Sequence, residues 1–422
     1  MLFSSTLYGQ TRTDAQLYSI WKDSSKPETV RLEAIWERMD IDSLPNQKPD
    51  WWVKWQNEAK EALELALKHN KKGYLPLFYM ATMEACAGNT ECICTAAKKT
   101  LESAKVANAS KKPFIFWAYG VLKFQCKEDV KDEVIINEFN KLKSALSNKP
   151  SDLQMLRDAN LELADWYHMN EKYPQALVYF QETRHLSEEL KLTDYTYGRI
   201  NEGLSAIHTQ IGNYKEAEKY IDISLRLAHA RKDTLSLGSS YLGKSNLMLK
   251  LKDEAKAQRY IDSAMYVMKN VKHCEPCYNI AKTLNAGVKN LSKNYSGALA
   301  ELNEVQAFFN GEGKGQKPES IFYTEKARAY LGLKKYNNAI QTIDSVKTSA
   351  QIYNKEVSDK YDILSQSYEG LGDYKNALQN YRLRMQTEDT LAKWRNSSEV
   401  TRLELENQFT QQQLKSQLDF QG

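Results

Sequence analysis

The sequence predicts an all-α chain, a right-handed α-solenoid of about nine helix hairpins that ends in one long helix. Three observations predict it. Ala, Leu, Lys, Glu and Gln, which lose little on entering a helix, dominate a chain of 422 residues punctuated by only 9 prolines and 18 glycines. A tyrosine and alanine marker recurs at a nearly constant step. Between markers the text divides into two helical patterns, each of roughly 15 residues.

The marker is plainest in "GLGDYKNALQNY", residues 370 to 381, with Gly372, Tyr374 and Ala377. Earlier copies are "EKYPQAL", "IGNYKEAEKY", "LKDEAKAQRYI", "KNYSGALAEL" and "KKYNNAIQTI". Their alanines fall at 176, 217, 257, 298, 339 and 377, in steps of 41, 40, 41, 41 and 38. A fixed period of this size marks stacked units, none of which buries its apolar face alone.

Within one repeat, Tyr323, Ala327 and Tyr330 share a face of the first helix, and Tyr336, Ala339, Ile340 and Ile343 a face of the second. The alanine is small because two helix backbones cross there, and the aromatic fills the space beside it. A glycine, where present, ends the first helix in a left-handed residue.

Upstream, Ala59, Ala97 and Ile135 keep steps of 38, 38 and 41 into Ala176, which predicts three degenerate repeats before six better ones. The expected domains are 1–50, a leader remnant and helical cap; 51–150, degenerate repeats; 151–390, the regular array; and 391–422, an extended connector helix. The cap contains Trp21, Trp36 and the turn "SLPNQKP", and Trp51, Trp52 and Trp55 are expected to cover the open end of the first repeat. "NGEGKGQKP", 310–318, reads as the one long loop. From Tyr381 no glycine or proline interrupts the text until Gly422. Leu391, Trp394, Val400, Leu403, Leu405, Phe409, Leu414 and Leu418 give that last helix an apolar stripe without a clean heptad.

The formal charge of +4, from 58 basic and 54 acidic residues, carries no global argument for nucleic acid or an anionic membrane surface. No apolar run approaches the roughly 18 to 20 residues of a membrane span. Residues 1–10, uncharged up to Arg12, read as the tail of a secretory signal and point to an exported protein. A frayed cytosolic terminus is the alternative.

Six cysteines, five of them in two local groups, suit local disulfides in an oxidising compartment. Cys86, Cys92, Cys274 and Cys277 are the disulfide candidates, with buried free thiols as the alternative. The CxxC in "HCEPCYNIAK" opens a helix, where backbone amides lower a thiol's pKa, but the strand that a thioredoxin-like site requires does not precede it. A zinc site shared between the two groups would span over four repeats, on the order of 40 Å at ordinary helix spacing. No metal, cofactor or catalytic residue is assigned, since no nucleophile motif, phosphate loop or HExxH is present. The six histidines, at 69, 168, 185, 208, 229 and 273, are scattered and read as packing or surface residues.

The Gly-Asp/Asn-Tyr turn, with small residues in both helices, resembles the tetratricopeptide repeat. The matching residues are Tyr361, Ser365, Tyr368, Gly372, Asp373, Tyr374, Ala377 and Tyr381, followed by Ser205, Gly212, Asn213, Tyr214 and Ala217. The period exceeds the family's usual 34, as in the long repeats of bacterial regulators and kinesin light chains, and implies longer helices. "YSIWKDSSKPETVRLEAIWE" and "RLELENQFTQQQLKSQL" are similar to the two ends of the sensor regions of Bacteroidetes regulators, whose outputs are cyclases, histidine kinases or DNA-binding domains.

That resemblance implies a binding groove lined by first helices. Asp165, His168, Arg199, Glu202, Asn246, Glu325 and Arg328 are its candidates, with plain solvated polar faces as the alternative. The expected partner is a protein or peptide segment on the concave face, with no nucleic acid bound here and the membrane reached only through a downstream segment. The C-terminal helix offers a homodimer contact. The expected function is a non-catalytic sensor in the periplasm or another extracytoplasmic space. A cytosolic scaffold, or a regulator similar to the quorum-sensing peptide receptors, is the alternative, and an enzyme using the CxxC is a third class.

Overall fold

The computed structural model describes residues 13–38, 51–84, 86, 89–106, 114–147, 149–268, 275–311, 318–346 and 354–419. Among these residues there are nineteen α-helices, one 3-10 turn and no strand, and the fold is an α-solenoid. In chain order the helices are α1 (Asp14–Lys22), α2 (Glu28–Arg38), α3 (Trp51–Lys68), α4 (Leu75–Glu84), α5 (Thr90–Val106), α6 (Phe114–Phe124), α7 (Asp132–Ala145) and α8 (Pro150–Met169). There follow α9 (Tyr173–Glu189), α10 (Tyr195–Ile211), α11 (Tyr214–Arg231), α12 (Thr234–Lys250), α13 (Glu254–Met268), α14 (Glu275–Leu291), α15 (Tyr295–Asn310), α16 (Pro318–Gly332), α17 (Tyr336–Asp344), α18 (Lys355–Gly370) and α19 (Tyr374–Asp419). The chain divides into two compact units, Met1–Glu162 and Leu163–Gly422.

In the first unit, α1 starts on a capping box in which the Thr13 hydroxyl accepts from the Gln16 amide and the Gln16 side chain accepts from the Thr13 amide. Leu17, Trp21, Leu32, Ile35, Ala59, Ala62 and Phe78 form one core, and Met83, Ala97, Ala118 and Val121 a second. All three weak markers, Ala59, Ala97 and Ile135, are fully buried. Two disulfides pin α4, α5 and α6: Cys86–Cys92, and Cys94–Cys126 across 32 residues.

The second unit repeats one geometry six times. The second helices α9, α11, α13, α15, α17 and α19 each begin three residues before a marker alanine, and all six alanines are buried. Twelve residues before each marker lies a small residue of the first helix: Ala164, Ser205, Ser245, Ala286, Ala327 and Ser365. Where it is serine, its hydroxyl donates to the marker's carbonyl, from Ser205 to Ala217 at 2.8 Å, Ser245 to Ala257 at 3.1 Å and Ser365 to Ala377 at 3.0 Å. Close approach of the two backbones thus accounts for the small residue on both sides of the crossing.

Each turn between the two helices contains a left-handed residue two positions before the second helix: Glu171, Gly212, Lys252, Lys293, Lys334 and Gly372, with φ of 57, 80, 59, 61, 61 and 78°. The next amide donates back to the carbonyl five residues earlier, as Lys335 does to Tyr330 and Asp373 to Tyr368, both at 2.9 Å. This is the Schellman closure that satisfies the last carbonyls of the first helix. Only two of the six turns use glycine.

In two of the stacked junctions the tyrosine that opens the second helix sits against a glycine of the next first helix. A Cβ on Gly332 would come within 2.3 Å of the Tyr295 ring, and one on Gly370 within 2.3 Å of the Tyr336 ring, so each tyrosine lies flat where the next first helix has no side chain. The last helix, α19, runs for 46 residues, about 69 Å at 1.5 Å per residue. Of its expected stripe, Leu391 is fully buried, and the side chains from Val400 onward lie outside the described residues. The leader remnant, the "SLPNQKP" turn, the tip of the 310–318 loop, Cys274 and the side chains of Trp51, Trp52 and Trp55 also lie outside them.

Candidate functional site

A polar network in the second unit joins its last hairpin to its earlier first helices. Asn354 caps α18 by accepting from the Val357 amide at 2.8 Å, and this sets the acidic first turns of α18 in place. Glu356 then accepts from Gln210 of α10 at 2.8 Å and from Ser320 of α16 at 2.5 Å. One turn on, Asp359 meets Lys250 of α12 at 2.7 Å and Arg328 of α16 at 3.5 Å. Arg328 lies 3.5 Å from Glu325, which accepts from Asn290 of α14 at 2.8 Å. Five first helices, α10, α12, α14, α16 and α18, are thereby tied by one network.

The charges sustain one another in this recess. Burial alone would push the Lys250 ammonium down, but Asp359 and Glu356 overcome it and hold its pKa above the ordinary lysine value. Burial would likewise push the Asp359 carboxyl up, and Lys250 and Arg328 overcome that, leaving it below the ordinary aspartate value.

The start of α19 completes the closure. Lys355 and Ser358 both reach Glu388, each at 2.5 Å. Trp394 packs edge-on to Tyr173 of α9 with ring centroids 6.5 Å apart, and Arg395 donates to the Ile211 carbonyl at the end of α10 at 2.8 Å. Tyr173 is buried, with the Asn354 amide 3.5 Å from its hydroxyl, and burial holds its pKa well above the ordinary tyrosine value.

Of the seven groove candidates, the structure brings only Glu325 and Arg328 into this network. Asp165 and Arg199 form a separate ion pair of 2.6 Å between α8 and α10. His168 is an aromatic packing residue, its ring 6.1 Å from Tyr173 and 6.3 Å from Phe180. Glu202 lies between its own hairpin and the next, where Ser224 of α11 and Ser239 and Ser240 of α12 donate to one of its oxygens at 3.2, 3.0 and 2.5 Å. Burial raises the pKa of the Glu202 carboxyl, against the pull of those hydroxyls and Arg199. Asn246 is half-buried on α12, one turn before Lys250.

Sequence reasoning gave no site role to Gln210, Lys250, Glu356, Asp359 or Arg395, and named Trp394 only in the apolar stripe of the last helix. The available signal was the pair of acids at i and i+3 in "KEVSDKYD", on the helix just before the best marker.

Among the described cysteines, Cys86, Cys92, Cys94, Cys126 and Cys277 are all disulfide-bonded. Among the described residues no group of three or more His, Cys, Asp or Glu is placed to hold a metal ion, and no helix is long and apolar enough to cross a membrane.

No family model and no curated protein matches the chain. Among solved structures, it is similar to a Rap protein crystallised in complex with competence and sporulation factor. That likeness covers 82% of this chain and 98% of the other, with a TM-score of 0.55 and 13% identity. At this identity the likeness bears on the fold alone, and it agrees with the all-helical repeat geometry of the second unit.

Proposed function

We propose that the chain is a non-catalytic binding and sensing module, which takes a protein or peptide segment against the first helices of its second unit and relays occupancy through α19. One observation carries this reading. The network around Asp359 ties five first helices to the hairpin from which the 46-residue α19 extends. A segment that binds across those helices competes with, or tightens, the contacts that hold α19, and so shifts a two-state element. The Rap protein in its complex with competence and sporulation factor supports the same class of function by analogy of fold.

We further place the module in an extracytoplasmic compartment, as the sensor region of a signalling or transcription regulator. The disulfides of the first unit support this, because such bonds persist where thiols are not kept reduced.

The test is a displayed library of random peptides selected on the intact, oxidised chain, followed by hydrogen exchange with the best binders. Binding is expected to change amide protection in residues 374–396 and to weaken in Arg328→Ala. Selection that enriches no binder, or binders that leave that segment's exchange untouched, would remove the reading.

A further inference from the structure

In the second unit α9, α11, α13, α15 and α17 each pack their outer face against the next first helix, whereas no described helix covers the corresponding face of α19. The position four residues after the marker alanine reads out this cover. It is Phe180, Ile221, Ile261, Leu302 and Ile343 in the five earlier hairpins, each at most 2% exposed. In α19 the same position is Tyr381, and it is 47% exposed. Tyr374, the counterpart of the tyrosines that lie on Gly332 and Gly370, is 71% exposed, Leu378 50% and Met385 43%. The spacings of 4, 3 and 4 put all four side chains on one helical face about 17 Å long.

The opposite side of the same stretch is fully engaged. Ser365 bonds to the Ala377 carbonyl at 3.0 Å, Arg384 pairs with Asp362 at 2.7 Å, and Glu388 holds Lys355. The exposed stripe is therefore held rigidly in the register that, in five earlier places, receives a helix. Lys375 and Arg382, seven residues apart along one edge of it, pair with no acidic side chain among the described residues.

We propose that this face of α19 is a docking surface for one α-helix of a separate partner protein. That helix carries glycine or alanine where Tyr374 lands, as Gly332 and Gly370 do within the array, and acidic side chains along the edge facing Lys375 and Arg382. Pairing of the face with a second copy of itself fits poorly. It would set tyrosine on large apolar side chains where the repeat interface sets tyrosine on glycine. In an antiparallel twofold arrangement it would also oppose the basic edge to its own copy. The surface is distinct from the recess around Asp359 and does not depend on what binds there.

A helix-stapled synthetic peptide of residues 354–373, the chain's own first-helix sequence with Gly370 and its acidic residues, is the probe. Fluorescence anisotropy with the intact chain is expected to show saturable binding that weakens at least tenfold in Tyr381→Asp and in Leu378→Asp. Tyr266→Asp, at an 81% exposed tyrosine of α13, is expected to bind as the unaltered chain does. Thermal melting by circular dichroism checks that both α19 variants stay folded, as exposed positions allow. No saturable binding, or equal binding by the Tyr381→Asp and unaltered chains, would overturn the proposal. So would sedimentation showing a dimer that Tyr381→Asp converts to monomer, since a second copy would then be the occupant.

Discussion

Arg395 Nη1 donates to the carbonyl of Ile211 at 2.8 Å, across 184 residues of sequence. The acceptor is the last residue of α10, where unpaired carbonyls and the helix dipole both favour a cation. The next residue, Gly212, is the left-handed cap, and a Cβ there would lie 3.0 Å from the same nitrogen. A tight turn between two early helices thus provides the seat for the last one.

Arg395→Ala is expected to cost about 1.5 to 3 kcal/mol, the range for a hydrogen bond from a charged donor. The loss should be local. Hydrogen exchange should quicken in residues 380–396 before it does in α12 or α14, and uniform quickening across the second unit would contradict the latch.

Two buried carboxyls, Asp359 in the recess and Glu202 outside it, predict pH effects of opposite sign. Asp359 titrates below its ordinary value of 3.8 when folded, so its contribution is complete above that value and disappears as pH falls through the lower folded pKa. Glu202 titrates above its ordinary 4.5, so the fold is penalised at neutral pH and regains stability as pH falls through the raised pKa toward 4.5. Asp359→Asn is expected to destabilise at pH 7 and to flatten the acid limb below 3.8. Glu202→Gln is expected to stabilise at pH 7, with the gain gone by 4.5. Urea titrations at stepped pH read both.

Removing one partner of the Lys250–Asp359 pair should cost about 3 kcal/mol, near the lower limit for a buried pair because each side chain keeps about a fifth of its surface exposed. In a double-mutant cycle, Lys250→Met with Asp359→Leu should cost less than the sum of the two single changes. Strict additivity would mean that the contact carries no coupling.

Three of the six hairpin turns place lysine in the left-handed region, at Lys252, Lys293 and Lys334. That conformation costs a residue with a Cβ about 1 to 2 kcal/mol, while glycine forfeits about 0.5 to 1 through its freer unfolded chain. Each Lys→Gly change should therefore stabilise by about 0.5 to 1 kcal/mol, and Gly372→Ala should do the reverse. Denaturant midpoints of the single variants would check the ordering.

In the first unit, loop-closure entropy ranks the disulfides. Losing Cys94–Cys126, which closes 32 residues, should cost about 4 kcal/mol, against about 2 for Cys86–Cys92 with its separation of 6. Chemical denaturation of paired Cys→Ser variants would show the difference, and thiol titration of the unreduced, unfolded chain should find the described cysteines blocked.

The repeats were legible because the crossing of two backbones demands a small residue, and that demand recurs at Ala176, Ala217, Ala257, Ala298, Ala339 and Ala377 whatever surrounds them. The lysine turns were not legible, because nothing in a lysine signals left-handed backbone; the backbone closure of the hairpin turn requires it there. The recess was only half legible. Helical register placed Glu325 and Arg328 on the inner side of α16, but their partner Asp359 also holds Lys250, 109 residues away, and helical periodicity carries no information at that range. Lys250 and Asp359 each look like an ordinary surface charge in sequence.

The closure also removes a freedom that stacked repeats ordinarily have. In an open array a whole hairpin can be inserted or deleted with little effect on the others, because each touches only its neighbours. Here one hairpin more or fewer between α10 and α18 would shift Glu356 off Gln210, Asp359 off Lys250 and Arg395 off Ile211 together. The number of hairpins in this unit is thus fixed by its own last contact, and variation in length can be accommodated only outside the closed interval.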